Sequence, residues 1–136
     1  MPIKKPQILV INPNSNGNVT EVIAKELQSF NFSDGPEIVC VSLPQGPYGI
    51  ESQADVEFVK LPLRNMVSKH KAIDAFVIAC YSDPGLQVCR EASDKPVFGI
   101  QECGVLAAME HGDRFGVIAL LECSIRRHLL YLRQLG

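Results

Sequence analysis

The sequence predicts an α/β fold: an open, mainly parallel sheet of alternating β-α units with helices on both faces. Three observations lead there. Short, continuous apolar runs such as Ile8–Ile11, Ala75–Ala79 and Val117–Leu121 recur along the chain, as strands buried on both faces do. Turn residues follow the runs, and apolar residues at helical spacing come after the turns. At 136 residues the chain amounts to roughly one domain.

The elements follow in order. Gln7–Ile11 reads as the first strand. The polar turn Asn12-Pro13-Asn14-Ser15-Asn16-Gly17 comes next, where Asn14, Ser15 or Asn16 can cap a helix carrying Val19, Ile23, Leu27 and Phe30. Glu37–Ser42 is the second strand. A Pro- and Gly-rich loop leads to a helix over 51–68, with Ser52 as a cap and a break expected near Leu61 because Pro62 lies inside it. Ala75–Ala79 is the third strand and ends at Cys80; a short helix is expected from Pro84. Pro96–Ile100 is the fourth strand, and the following helix has Val105, Leu106 and Met109 inward and Gly112 at its end. Arg114–Leu121 reads as a fifth strand. A last helix opened by Cys123 or Ser124 presents Ile125, Leu129 and Leu132 on one face.

Right-handed crossovers bring every strand's carboxyl end to one edge of the sheet. Asn14, Cys80 and Ser82 therefore meet at the edge where open α/β sheets hold ligands. The turn Ser82–Gly85 is placed to lower the Cys80 pKa through a helix amino terminus, while the Asp83 carboxylate works against this and is expected to cap the helix at Pro84. On these grounds Cys80 is expected to be the most reactive of the five thiols.

Composition narrows the function. The net charge is −2 and no basic stripe or base-stacking motif occurs, so no nucleic-acid partner is expected. The apolar runs are far shorter than the ~20 residues of a membrane span, and no signal sequence is read, so a cytoplasmic location without membrane contact is expected. Five cysteines without a C-x-x-C pair, and three histidines away from ligand spacing, give no disulfide framework and no metal site. No G-x-G-x-x-G or Walker motif is present, so nucleotide binding is not indicated.

The segments NPNSN, GPYGIES, ACYSDPGL, PVFGIQE and DRFGVIALLECS, in that order, resemble the aspartate/glutamate/hydantoin racemase family, and within it the hydantoin and allantoin racemase branch. The resemblance runs from about Ile8 to Leu132. It implies two similar α/β halves facing each other across the active site, each giving one cysteine. One thiolate removes a proton from the carbon beside a carbonyl, and the other thiol supplies a proton on the opposite face. No metal or other cofactor takes part. Cys80 matches the first-half cysteine, Asn14 a substrate-binding asparagine, and Ser82 the turn whose backbone holds the substrate.

Residues 1–110 then correspond to the first half, and residues 111–136 to the opening strand and helix of an incomplete second half. Nothing in the chain matches the second-half cysteine, which implies a sequence truncated before it, and Ala119-Leu120 stand where the branch carries threonines. Cys123 is the one other thiol expected on the active edge. The resemblance implies a cofactor-independent racemase acting on a small-molecule substrate: a hydantoin, allantoin or an amino-acid-like acid. The alternative is a catalytically impaired fragment, or a related one-cysteine decarboxylase or isomerase that binds a small carbonyl or carboxylate ligand. Apolar surface left by the missing half would favour a homo-oligomer.

Overall fold

The computed structural model describes residues 4–136. Four strands, β1 (Gln7–Asn12), β2 (Glu37–Ser42), β3 (Ala75–Ile78) and β4 (Val97–Gly99), form one parallel sheet in the order β2-β1-β3-β4. The register pairs Val10 with Cys40, Ile11 with Ile78, and Ile78 with Gly99. Parallel neighbours need a crossover between them. The chain supplies α1 (Gly17–Glu26, continued by a 3-10 turn at Leu27–Phe30), α2 (Gln53–Phe58), α3 (Lys60–Lys69), α4 (Leu86–Glu91), α5 (Ile100–His111) and α6 (Glu122–Leu135). The expected α/β class with a parallel sheet is what the chain adopts.

The core joins Leu9, Ile11, Phe76 and Ile78 of the sheet to Leu63, Val67, Leu86 and Cys89 of α3 and α4. Leu9 and Ile11 project to the same side of β1, as a period of two requires. The α2–α3 break falls at Val59, just before the expected place. Pro62 lies in the first turn of α3, where its missing N–H would have had no helical partner.

Three expectations are corrected. Arg114–Leu121 forms no strand: the described sheet ends at the three-residue β4, and a strand needs a neighbour for its N–H and C=O groups. Ile118 and Leu120 are 92% and 93% exposed. Residues 111–136 therefore contribute a helix but no opening strand. Leu106 and Met109 face out from α5, with Val105 its buried apolar side chain, because β4 is too short to cover a wider stripe. Gly112 closes α5 as expected, in an extended conformation. In α6 the apolar residues Ile125 and Leu129 are exposed, and the face turned inward carries Ser124, Arg127, His128 and Tyr131.

A candidate active site at the carboxyl edge of the sheet

β1 and β3 are adjacent, so the loops that leave them lie side by side; the Ala79 N–H still donates to Ile11 O at 2.8 Å. After β1 the chain is held by asparagines. Asn12 is buried, and its Nδ2 donates to Asn14 Oδ1 (2.7 Å) and Thr20 Oγ1 (3.0 Å). Asn14 Oδ1 also accepts from the Asn16 N–H at 2.9 Å. The Asn14 oxygen thus organises the loop. Of the three cap candidates Asn16 is the one used, accepting from the Asn18 N–H at 3.1 Å. Gly46 is required beside this loop, since a Cβ there would run into Pro13 O.

Cys80 follows β3 and is partly buried. The Ser82 side chain is its polar neighbour. Burial pushes the Cys80 thiol up to about 11, opposed by the Ser82 side chain and the positive charge of Arg127, and reinforced by Asp83. The resting thiol is therefore protonated at neutral pH. The expected lowering by a helix start is not realised, because α4 begins only at Leu86, after Gly85 in the left-handed region (φ +69°). A helix of six residues set that far along the chain leaves burial as the larger influence.

Asp83 also differs from expectation. It does not cap the helix beside it. The carboxylate accepts from the Gln101 N–H (2.9 Å) and the Glu102 N–H (2.7 Å), both at the start of α5, and from the Tyr131 hydroxyl of α6 (3.1 Å). Its backbone φ of +43° is uncommon outside glycine and tolerated by aspartate. That conformation aims the side chain across to α5. Gly99 must be glycine, because a Cβ would run into the carboxylate. Burial raises the Asp83 pKa against the three hydrogen bonds that lower it. One side chain thus ties the turn after Cys80 to two later helices.

A cleft lies between α2, the 82–88 segment and α6, and includes Ser82, Gln101, Cys123, Arg127 and Tyr131 in its walls. Cys80 and Asn14 do not line it; Cys80 connects to it through Ser82. On its far side the Glu51 carbonyl, placed by the Ser52 capping box of α2, accepts from Arg127 Nη1 (3.1 Å) and Cys123 Sγ (3.6 Å). Cys123 is exposed and stands in the first turn of α6. Gln101 Nε2 stands 3.4 Å from His128 Nδ1, and the His128 ring meets Tyr81 edge-on with centroids 5.2 Å apart. Burial, and then the charge of Arg127, lowers the His128 pKa, which keeps the ring neutral at pH 7. Among the described residues, no group of three or more His, Cys, Asp or Glu side chains is placed to hold a metal ion.

Arg127, Gln101, His128 and Tyr131 were not singled out from the sequence. The spacing 124, 127, 128, 131, 135 does mark one helical face, but its polar character reads as a solvated surface beside the apolar Ile125/Leu129/Leu132 stripe.

A family model described as Asp/Glu/Hydantoin racemase matches residues 8–136. The chain belongs to this family. Hydantoin racemases from Pseudomonas sp. and Paenarthrobacter aurescens are 42% and 34% identical to it, over 85% and 96% of its length. The alignments cover 47% and 56% of those two proteins, so the chain spans about half the length of the relatives it matches. Among solved structures, allantoin racemase from Klebsiella pneumoniae superposes with a TM-score of 0.88 at 29% identity, covering 96% of this chain and 54% of that one. Allantoin racemase from Pseudomonas fluorescens gives a TM-score of 0.87 at 26% identity, covering 96% and 55%. No helix of the described residues is long and apolar enough to cross a membrane.

Proposed function

We propose that this chain carries the first-half site of a cofactor-independent racemase of the hydantoin and allantoin type, with Cys80 as the proton-transferring thiol. The observation that carries the reading is the place of Cys80 at the carboxyl end of β3, with the Ser82 side chain and the Arg127 charge both favouring its thiolate. The named activities of the relatives support the substrate class.

In this reading the substrate's carbonyl oxygen takes a hydrogen bond from Asn14 Nδ2, and the turn at Ser82 holds the ring. The C–H bond beside the carbonyl breaks, its proton passes to a thiolate, and the electron pair moves onto the carbonyl oxygen as an enolate. A thiol on the opposite face then returns a proton to carbon. No net atom or electron is gained. Because burial keeps Cys80 protonated at rest, it enters the cycle as the acid. It becomes the base for the next substrate once its proton has been given up, with Ser82 and Arg127 holding the thiolate. Residues 1–110 supply this half and residues 111–136 begin the other, whose thiol completes the pair.

Incubation of a single enantiomer of a 5-substituted hydantoin, followed by chiral chromatography, tests this. Slow racemisation is expected with a single thiol in place, since loss of one acid–base partner costs ~10² to 10⁴ in rate. It should vanish in Cys80→Ala and persist in Cys123→Ala. Racemisation that survives Cys80→Ala contradicts the assignment.

A further inference from the structure

Asn12, the last residue of β1, is 2% exposed, a costly place for an amide unless its polar ends are met. They are met. Its Oδ1 accepts from the Asn14 N–H at 3.2 Å, and its Nδ2 donates to Asn14 Oδ1 at 2.7 Å and to Thr20 Oγ1 at 3.0 Å. We infer that Asn12 is a positioning residue: it turns the Asn14 amide oxygen inward and so holds Asn14 Nδ2 as a fixed donor on the carboxyl edge of the sheet. The inference rests on the proposed function, in which that Nδ2 meets the substrate's carbonyl oxygen, and adds the residue that sets the donor's direction.

Backbone groups fix the direction of each amide. A backbone N–H can only donate, so the Asn12 end facing the Asn14 N–H is Oδ1, and the end facing the Asn14 side chain is Nδ2. By the same rule the Asn16 N–H, at 2.9 Å, fixes the inward end of Asn14 as Oδ1. Two donors thus converge on one oxygen. A half turn of the Asn14 amide would set its own N–H groups against both of them. The lock is anchored in two further elements. Thr20 Oγ1 of α1 takes one Asn12 N–H and stands 2.6 Å from Ser42 Oγ of β2. The Leu43 N–H lies on the carbonyls of Asn12 (2.9 Å) and Asn14 (3.1 Å), which holds the loop backbone. A buried network whose members are satisfied makes rigid what it holds.

The consequence is a site of one polarity on this side. An amide free to turn presents a donor or an acceptor, and has to be ordered when a substrate binds. A locked amide presents the donor alone and has no such ordering to undergo. That donor is in place before negative charge develops on the enolate oxygen, which is when a preorganised hydrogen bond helps most. Asn12 is buried behind the loop and acts through Asn14.

Two measurements on the full chain test the inference. The first is NMR of the chain isotopically labelled at its asparagine amides, and it needs no variant. The Asn12 side-chain N–H protons should exchange slowly with water and those of Asn14 rapidly; an Asn14 pair as protected as that of Asn12 would overturn the inference. The second follows Cys80-dependent deuterium incorporation into one enantiomer of a 5-substituted hydantoin in heavy water. Asn12→Leu, similar in size and without polar ends, should slow it about tenfold, as expected when one oriented hydrogen bond is lost. The same substitution made in Asn14→Ala should change the rate by less than about twofold, because the residue through which Asn12 acts is then absent. Equal slowing in both backgrounds would show a general structural role and overturn the inference. Should Asn12→Leu fail to fold, Thr20→Val, which frees Asn12 from α1, should show the same dependence on Asn14 with a smaller effect. Incorporation that depends on Cys80 but is indifferent to these substitutions would remove this inference and leave the proposed function standing. Incorporation undiminished in Cys80→Ala, with the amide protection as stated, would remove the proposed function and leave the Asn12 lock.

Discussion

Burial and polar neighbours pull the Cys80 thiol in opposite directions. Burial wins and pushes it up to about 11, so at pH 7 nearly all of it is thiol. Alkylation proceeds through the thiolate, so its rate at Cys80 should climb about tenfold per pH unit toward that value. The exposed Cys103 and Cys123 should be modified first, contrary to the order expected from sequence. Removing the Arg127 charge takes away a stabiliser of the thiolate. Arg127→Met should therefore raise the Cys80 pKa further and slow its alkylation at any given pH. Mapping iodoacetamide adducts by mass spectrometry across pH 7 to 11 checks both statements; a Cys80 that reacts before Cys103 at pH 7 would contradict them. The position of Cys80 at a strand end was legible from the apolar run before it. Its ionisation was not, because it depends on tertiary burial and on the charge of Arg127 in α6, more than forty residues later.

Among the elements, the turn after β3 is held by an aspartate that caps the wrong helix from the viewpoint of sequence. Local chemistry favours Asp83 capping the Pro84 helix; tertiary structure gives its carboxylate to the N–H groups of Gln101 and Glu102. Asp83→Ala leaves two helix-start donors and the Tyr131 hydroxyl without that acceptor. It should cost about 2–3 kcal/mol of unfolding free energy, within the range for a lost cap and unsatisfied buried donors. Gly99→Ala should cost a comparable ~1–3 kcal/mol through steric conflict with the same carboxylate. The two residues are in contact, so their effects should be markedly non-additive. Urea unfolding of both single variants and the double variant measures this. Losses below about 0.5 kcal/mol in both singles would show that the Asp83 contacts do not hold the turn. The capping of α2 by Ser52, by contrast, was readable in sequence, because both partners of a capping box lie within four residues.

For the molecule as a whole, strand and helix alternation gave the parallel α/β class correctly, since apolar runs and turn residues are local signals. The fifth strand failed because an apolar run becomes a strand only beside another strand, and Arg114–Leu121 has none among the described residues. The polar inner face of α6 was hidden for a related reason: Arg127, His128 and Tyr131 acquire meaning only against Glu51, Gln101 and Asp83, which lie far away in sequence. What this arrangement provides is one placed thiol beside a built cleft. The small thiolate fraction of a single cysteine can remove the proton beside a carbonyl and, after exchange with solvent, return a deuteron to the same face, so slow exchange should outpace racemisation. The decisive measurement follows the proton at that carbon of a single hydantoin enantiomer by NMR in heavy water, with optical purity followed in parallel. Slow deuterium incorporation with configuration largely retained, and its loss in Cys80→Ala, is the expected result; incorporation undiminished in Cys80→Ala would contradict the account.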